Sequence, residues 1–259
     1  RRNTGYAVDE LLKSSQFEGT ADFNFCKLLA GSEGTLAVTT EIKISLDPLP
    51  DPIEIVVAAH FESIHESMKS AQVAMKHPVT AVELMDKIIL DCTKESIEYS
   101  KNRYFVEGDP KALLMIEFRG KTLEEAMAKG EALVADLKAA GYGYAYPIIE
   151  PEKVASAWAL RAAGLGLLGN IPGDPKAVAC IEDTAVDISD LADYIDELDG
   201  ILAGFNQNPV HYAHAGAGEI HMRPILDLKK AEDVEEFYQI SLASAQLVKK
   251  YQGSLSGEH

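Results

Sequence analysis

The spacing of hydrophobic positions changes several times along the chain between a period typical of strands and one typical of helices. Runs of alternating or continuous apolar residues predict strands over Thr35–Leu46, Ile53–His60, Val79–Leu84, Ala112–Phe118, Gly141–Ile149 and Ala177–Glu182, with two short ones flanking Gly216–Gly218. Spacing of about 3.6 residues predicts helices from Ser63 to about Lys76, over Lys87–Tyr99, after Thr122, and over Val154–Leu168, Ile188–Phe205 and Ala231–Lys250. Ser63 and Thr122 are each followed by a glutamate three residues later, which is the pattern of a capping box.

The order of these elements predicts an α+β fold. From Ile53 to Ile149 the chain runs strand–helix–strand twice, which is the split βαβ, ferredoxin-like plan. Three prolines in Asp47–Pro52 predict an extended linker. We therefore expect a domain over residues 51–259, with extra C-terminal helices and strands, and a separate piece over residues 1–50. Because the chain starts within a motif and stops on Glu258-His259, we expect it to be part of a longer protein.

Composition and charge narrow the class of protein. The 259 residues are 47% hydrophobic and 25% charged, which is typical of a globular domain. A net charge of −17 disfavours binding to nucleic acids and to anionic membranes, although a local site for a small anion remains compatible with it. Three widely spaced cysteines indicate free thiols and a reducing compartment, so we expect a cytoplasmic protein.

The densest group of potential metal ligands lies near the C-terminus. The segment from His211 to His221 reads HYAHAGAGEIH, and its glycines favour a tight reversal that brings His214 and His221 to one side. Two neutral imidazoles can bind a divalent metal, and Glu258 offers a carboxylate as third ligand. From spacing alone, two ordinary histidines beside a glycine-rich turn are the simpler explanation of the pattern.

Other candidate residues carry weaker signals. His259 is a candidate general base, because the usual pKa of histidine lies near neutral pH. Arg161 could bind a carboxylate through its forked guanidinium, or it could be an ordinary surface arginine of a helix. The loop Gly31-Ser32-Glu33-Gly34-Thr35 would let a ligand approach the backbone closely, although it matches neither a P-loop nor GxGxxG.

Taken in order, several motifs resemble one family across nearly the whole chain. They are NTGY, GSEGTL, the proline-rich linker, AVELMD, IEDTAV, HAGAGEIHMRP and GSLSGEH. This order resembles the FAD-linked oxidases of the vanillyl-alcohol-oxidase-like superfamily. It is most similar to the branch that holds D-lactate dehydrogenase, the glycolate oxidase flavin subunit and D-2-hydroxyglutarate dehydrogenase. Within that branch it resembles large proteins that also carry an iron–sulfur domain.

The resemblance implies a role for each candidate residue. Residues 1–50 would be the end of an FAD-binding domain, in which Asn3, Thr4, Gly5 and the loop Gly31–Thr35 contact FAD. His214, His221 and Glu258 would hold a divalent metal, with zinc as the candidate, that orients a D-2-hydroxy acid. His259 would accept the hydroxyl proton as hydride leaves for the flavin, and Arg161 would bind the substrate carboxylate. The resemblance does not identify the electron acceptor. It is compatible with a homodimer and with association of the full-length enzyme with the inner face of a membrane.

The chain also departs from the family pattern, and two alternatives remain. Many relatives read HxGDGNxH, whereas Ala217 and Glu219 stand here in place of the aspartate and the asparagine. A carboxylate at Glu219 would repel an anionic substrate unless it is paired or turned away. The alternatives are a non-catalytic ferredoxin-like binding or oligomerisation module and, more remotely, a metal-dependent hydrolase.

Overall fold

The computed structural model describes residues 6–94 and 96–257, apart from the side chains of Leu165 and Asn170. The chain separates into two compact units, one from Pro50 to Leu255 and one formed by residues up to Leu49 with the chain end from Ser256. Within the described ranges, no helix combines the length and the apolar character that a membrane crossing requires.

The helices and strands are given in chain order. They are α1 (Val8–Leu12), α2 (Cys26–Leu29), β1 (Ile53–Phe61), α3 (Ile64–Ala74), β2 (Ala81–Asp86), α4 (Lys87–Lys94), β3 (Ala112–Gly120), α5 (Leu123–Ala140), β4 (Ile148–Ile149), α6 (Pro151–Leu167), β5 (Lys176–Ala177), β6 (Ile181–Ala185), α7 (Leu191–Gly204), β7 (Val210–His214), β8 (Glu219–Arg223), β9 (Ile225–Leu226) and α8 (Ala231–Lys250).

The larger unit is built on a seven-stranded antiparallel sheet. Its strand order is β4-β1-β3-β2-β7-β8-β6, while β5 and β9 form a separate pair. Strand β3 lies between β1 and β2 and is antiparallel to both, so the first four strands have the ferredoxin-like, split βαβ order. The predicted α+β class is therefore confirmed, and β7, β8 and β6 extend the sheet beyond β2.

Both predicted capping boxes are present. The Ser63 hydroxyl accepts a hydrogen bond from the Glu66 amide, and the Thr122 hydroxyl accepts one from the Glu125 amide. Each glutamate side chain in turn accepts a backbone N–H just before the cap. These bonds satisfy amides that the first turn of a helix leaves without partners, which fixes where α3 and α5 begin.

The sheet has two buried faces, and they differ in how completely they are covered. One face packs against α3, α5, α7 and α8, with Val57, Leu114 and Phe118 among the fully buried side chains. The other packs against α4 and α6 through a second core that includes Met85 and Met115. Helices α4 and α6 contact β1 and β2. Where β7 and β8 form this second face, it carries the polar residues described below.

Several sequence-based boundaries were wrong. The predicted strand Thr35–Leu46 has no strand structure, and Val38, Ile42 and Ile44 are 71–91% exposed. Apolar alternation alone does not make a strand, because the backbone needs a ladder partner and none of the described strands pairs with this segment.

Other elements are shorter than predicted. Gly141–Ile149 yields only the two residues of β4, since Gly143 is in a left-handed turn with φ 77°. Ala177–Glu182 is divided between β5 and β6. Helix α4 ends at Lys94 rather than Tyr99, and the Arg103 guanidinium donates to the Leu90 carbonyl in its last turns.

Candidate metal and substrate site

Polar side chains from β7 and β8 share the second face of the sheet. Tyr212 is the cross-strand partner of His221, and His214 is the partner of Glu219. Because successive side chains of a strand point to opposite faces, these residues and Arg223 line one face, while Ala213, Ile220 and Met222 enter the core on the other. The strand register therefore brings the two histidines of the motif together.

The connection between β7 and β8 is as tight as the glycines predicted. It is a single 3-10 turn over Ala215–Ala217 that ends at Gly218 with φ 70°. A Cβ at Gly218 would lie 2.2 Å from the Val186 carbonyl oxygen, so only glycine fits there. The imidazole rings of His214 and His221 lie edge to face with their centroids 5.2 Å apart.

His214 is oriented by a carboxylate from the neighbouring strand. Its Nδ1 lies 3.0 and 2.9 Å from the two carboxylate oxygens of Glu83 on β2. The tautomer that this contact favours has the proton on Nδ1 and the lone pair on Nε2. A histidine backed in this way by a carboxylate is the usual arrangement of a metal ligand, since the partner fixes the ring and increases its basicity.

His221 also lies close to a carboxylate. Its Nδ1 lies 2.9 Å from Asp183 Oδ1, and both side chains are almost fully buried. Asp183 has a positive φ of 59° and lies where the β6–β8 register shifts, which indicates a β-bulge. Bulges redirect a side chain out of its regular alternation, and here the aspartate meets His221.

Arg161 reaches the same face from α6. Its Nη2 donates to Glu83 and its Nη1 to the Tyr212 hydroxyl, while its guanidinium carbon lies 3.8 Å from the centre of the Tyr212 ring. The side chain is 11% exposed, so the surface-arginine interpretation is wrong. Glu83 thus links Arg161 to His214.

A second set of potential ligands overlaps the first. Ligand atoms of Glu182, Asp183 and His221 all lie within 4.8 Å of one another. However, Glu182 already accepts from Arg223 Nη2 at 2.7 Å, and a guanidinium there opposes binding of a cation. Glu83 and Asp183 lie at the Nδ1 atoms of His214 and His221, which leaves the Nε2 atoms as the ring nitrogens that face away from these carboxylates.

A buried ion cluster lies beneath the site on the opposite face of β7. His211 Nε2 lies 2.9 Å from Asp199 Oδ1, and its backbone N–H donates to Asp86 at 2.7 Å. Burial alone would lower the pKa of His211, but hydrogen bonds with Asp199 and Asp86 outweigh that effect and raise it to about 9. Asp86 also accepts from the Ile89 amide at the start of α4. The cluster therefore ties β7, β2, α4 and α7 together.

The remaining predicted residues divide into two groups. Asn3, Thr4, Gly5, Glu258 and His259 lie outside the described residues. In the loop Gly31–Thr35, Gly31 and Gly34 have φ of 81° and 72°, and nothing lies within 4 Å of where a Cβ would be. A ligand could therefore approach this backbone, while the Thr35 hydroxyl donates to the Ser32 carbonyl at 2.6 Å.

Sequence reasoning missed four residues of the site: Glu83, Tyr212, Asp183 in its role beside His221, and Arg223. The carboxylate of Glu83 inside the largely apolar strand AVELMD was a usable signal, because a buried charge needs a partner. Alternation in β7 and β8 would have placed Tyr212 and Arg223 on the histidine face. The bulge at Asp183 left no clear signal in the sequence.

Two imidazoles backed by carboxylates, with an arginine beside them, define a site suited to a divalent metal and a carboxylate ligand. The sequence matches the family described as FAD linked oxidases, C-terminal domain, over residues 52–259. The chain belongs to this family. That membership favours a flavin-linked role over the hydrolase and the non-catalytic module.

Individual relatives agree with this assignment. The chain is 33% identical to the D-2-hydroxyglutarate dehydrogenase of Haemophilus influenzae, over 99% of this chain and 25% of that protein. It is 27% identical to glycolate oxidase subunit GlcD of Bacillus subtilis, over 92% of this chain and 49% of that protein. The chain thus spans about a quarter of the length of the D-2-hydroxyglutarate dehydrogenases that it matches.

A solved structure supports the fold. Alkyldihydroxyacetonephosphate synthase superimposes with a TM-score of 0.57 over 92% of this chain and 47% of that chain, at 15% sequence identity. This similarity concerns the architecture alone.

Proposed function

We propose that this chain forms the metal- and substrate-binding side of an FAD-dependent oxidoreductase that oxidises a D-2-hydroxy acid. The observation that carries the proposal is the His214–His221 pair, with ring centroids 5.2 Å apart and a carboxylate behind each ring. Family membership supports the flavin, and Arg161 supplies the cation that a carboxylate substrate requires.

The residues of the site divide the work between binding and proton transfer. His214 and His221 would hold the metal through Nε2, and Glu258 would be the third ligand. Three protein ligands would leave room for the hydroxyl and carboxylate oxygens of the substrate.

Arg161 would orient the substrate through a charge-assisted bond to its carboxylate, and His259 would accept the hydroxyl proton on its imidazole. When bound, the metal supplies Lewis acidity that lowers the pKa of the hydroxyl, and FAD supplies the hydride acceptor. That the metal is a divalent ion, with zinc as the candidate, is part of the same proposal.

We propose further that the chain acts within a longer flavoprotein. The support is its coverage of about a quarter of the relatives that are named D-2-hydroxyglutarate dehydrogenases. The loop Gly31–Thr35, together with Asn3, Thr4 and Gly5, would contact the FAD. An iron–sulfur domain, a cytoplasmic location, a homodimer and the electron acceptor all remain predictions. The 259-residue chain alone is expected to bind no flavin and to oxidise no hydroxy acid.

The test uses the flavin-loaded protein that carries this chain. We expect D-2-hydroxy acids to bleach the flavin absorbance, and His214→Ala to abolish bleaching while FAD stays bound. His65→Ala is a matched control, because His65 also pairs with a carboxylate, Asp196, but is exposed and far from the motif in sequence. Bleaching that survives in His214→Ala, or that fails equally in His65→Ala, would contradict the proposal.

A further inference from the structure

Helix α8 carries a row of apolar side chains on the side that faces away from the core. Its inner side is buried through Ile240 and Leu247. On the outer side, Val234, Tyr238 and Leu242 follow at intervals of four residues and are 51%, 59% and 43% exposed. Residues four apart lie next to each other along one side of a helix, so these three form a continuous row, which we call the α8 stripe. Scattered apolar residues are ordinary on a protein surface, whereas contiguous ones mark interaction sites.

The two ends of α8 carry opposite charges. Glu232 and Asp233 lie in the first turn, and Lys249 and Lys250 lie in the last. This distribution also complements the helix dipole, so by itself it does not call for a partner. Lys250 is bound to Glu197 on α7, which engages it within the chain. Lys249, which is exposed, is therefore the better candidate for a contact with another molecule.

Glu235 and Lys249 lie at equal distances from Leu242 on the exposed side of α8. Both are exposed, and each is seven residues from Leu242, which is about two turns or about 10.5 Å along the helix axis. A two-fold axis at Leu242 that relates two antiparallel copies of α8 therefore places Glu235 of each copy opposite Lys249 of the other. The same axis places Leu242 against its own counterpart and Tyr238 close to Ala245, whose small side chain leaves room for a ring.

We propose that the α8 stripe binds a second copy of this chain, with the two α8 helices antiparallel about a two-fold axis at Leu242. A two-fold interface uses the same patch on both subunits, so the patch has to complement itself. The equal spacing of Glu235 and Lys249 from Leu242 meets that condition. A parallel pair would place like charges opposite each other, and a partner of another sequence, such as a further domain of a longer flavoprotein, would not require the equal spacing. The inference does not depend on the proposed function.

The dimer is expected to be weak. Helix α8 has 20 residues and is about 30 Å long, so one pair of such helices buries less than the roughly 1,200–2,000 Å² of a stable interface. We therefore expect a dissociation constant in the micromolar range or above. The net charge of −17 on each chain adds repulsion. At about 0.15 M salt, however, the Debye length is about 8 Å, which screens distant charges more than the contacts between Glu235 and Lys249.

The test measures self-association of the 259-residue chain by sedimentation equilibrium at about 0.15 M salt, from micromolar to millimolar concentration. We expect a reversible equilibrium between monomer and dimer. Glu235→Lys places lysines opposite Lys249, and Lys249→Glu places glutamates opposite Glu235. Each change turns two attractive contacts per dimer into repulsive ones, so each should raise the dissociation constant about 10-fold or more.

A mixture of the two single variants tests the antiparallel geometry directly. In the mixed dimer every contact again joins a lysine to a glutamate, so an equimolar mixture should associate like wild type although neither variant does so alone. The double variant Glu235→Lys/Lys249→Glu should be restored in the same way. Glu131→Lys and Lys138→Glu are matched controls, because these residues of α5 are also exposed and the changes alter the net charge by the same amount.

Thermal melts verify that each variant is folded. A monomer at every concentration would overturn the inference and would leave the α8 stripe to solvent or to another domain of a longer protein. A mixture that associates no better than the single variants would also overturn it, because the two-fold geometry requires the rescue. So would equal weakening in the α5 controls, since the total charge rather than the stripe would then govern association.

Discussion

Replacing Glu83 by glutamine tests whether the carboxylate behind His214 prepares that ring for a metal. Both oxygens of Glu83 lie at hydrogen-bond distance from Nδ1, at 2.9 and 3.0 Å, and the same carboxylate accepts from Arg161. Glutamine keeps the size of the side chain and removes the charge. Loss of such a partner typically weakens metal binding 10- to 100-fold, which corresponds to about 1.4–2.7 kcal/mol.

In the assay, the metal-free chain is titrated with Zn²⁺, Co²⁺ or Mn²⁺, and calorimetry measures the affinity for the metal. Glu117→Gln is a matched control, because Glu117 is also a largely buried carboxylate on this sheet and is bound to an arginine, but its partners are Arg119 and Thr80. We expect the loss in Glu83→Gln and less than about a 2-fold change in the control. Unchanged affinity in Glu83→Gln, or an equal loss in both variants, would refute the proposed role of Glu83.

The other predictions concern the elements that hold the site in place. Because the folded pKa of His211 is raised to about 9 from 6.5, its ion cluster stabilises the fold fully below pH 6.5, and about 3 kcal/mol is lost as pH rises through 9. Urea unfolding should show this loss in wild type and not in His211→Gln; parallel pH curves would disprove the coupling. Gly218→Ala should destabilise the chain by at least about 1–3 kcal/mol, since a Cβ meets the Val186 carbonyl at a positive φ. An unchanged midpoint of thermal unfolding would count against this geometry. Thr122→Ala should cost about 1 kcal/mol in urea unfolding, through loss of the cap of α5; Thr122→Ser should restore most of it, and failure to do so would point to another cause.

Local signals in the sequence were sufficient for much of the fold. The predicted helix Ala231–Lys250 coincides with α8, because its apolar stripe is long enough to define both ends. The capping boxes located the starts of α3 and α5, since they depend on side chains within three residues of each other. The ferredoxin-like strand order followed from the order of the elements.

Predictions that depend on pairing between distant segments were less successful. Thr35–Leu46 has clear apolar alternation and still forms no strand, because ladder partners lie outside any local window. The site shows the same limit. His214 and His221 were found from their spacing, whereas Glu83 is 131 residues away from His214 and was not connected to it. Only the strand register shows that the two meet.

The proposed position of the metal is most directly tested by anomalous diffraction from crystals of the metal-loaded chain. We expect one peak at about 2.0–2.1 Å from Nε2 of both His214 and His221, with Glu83 and Asp183 at the Nδ1 atoms behind the rings. A peak among Glu182, Asp183 and the Nδ1 of His221 would contradict the account. So would the absence of any peak in crystals that hold the metal at saturating concentration.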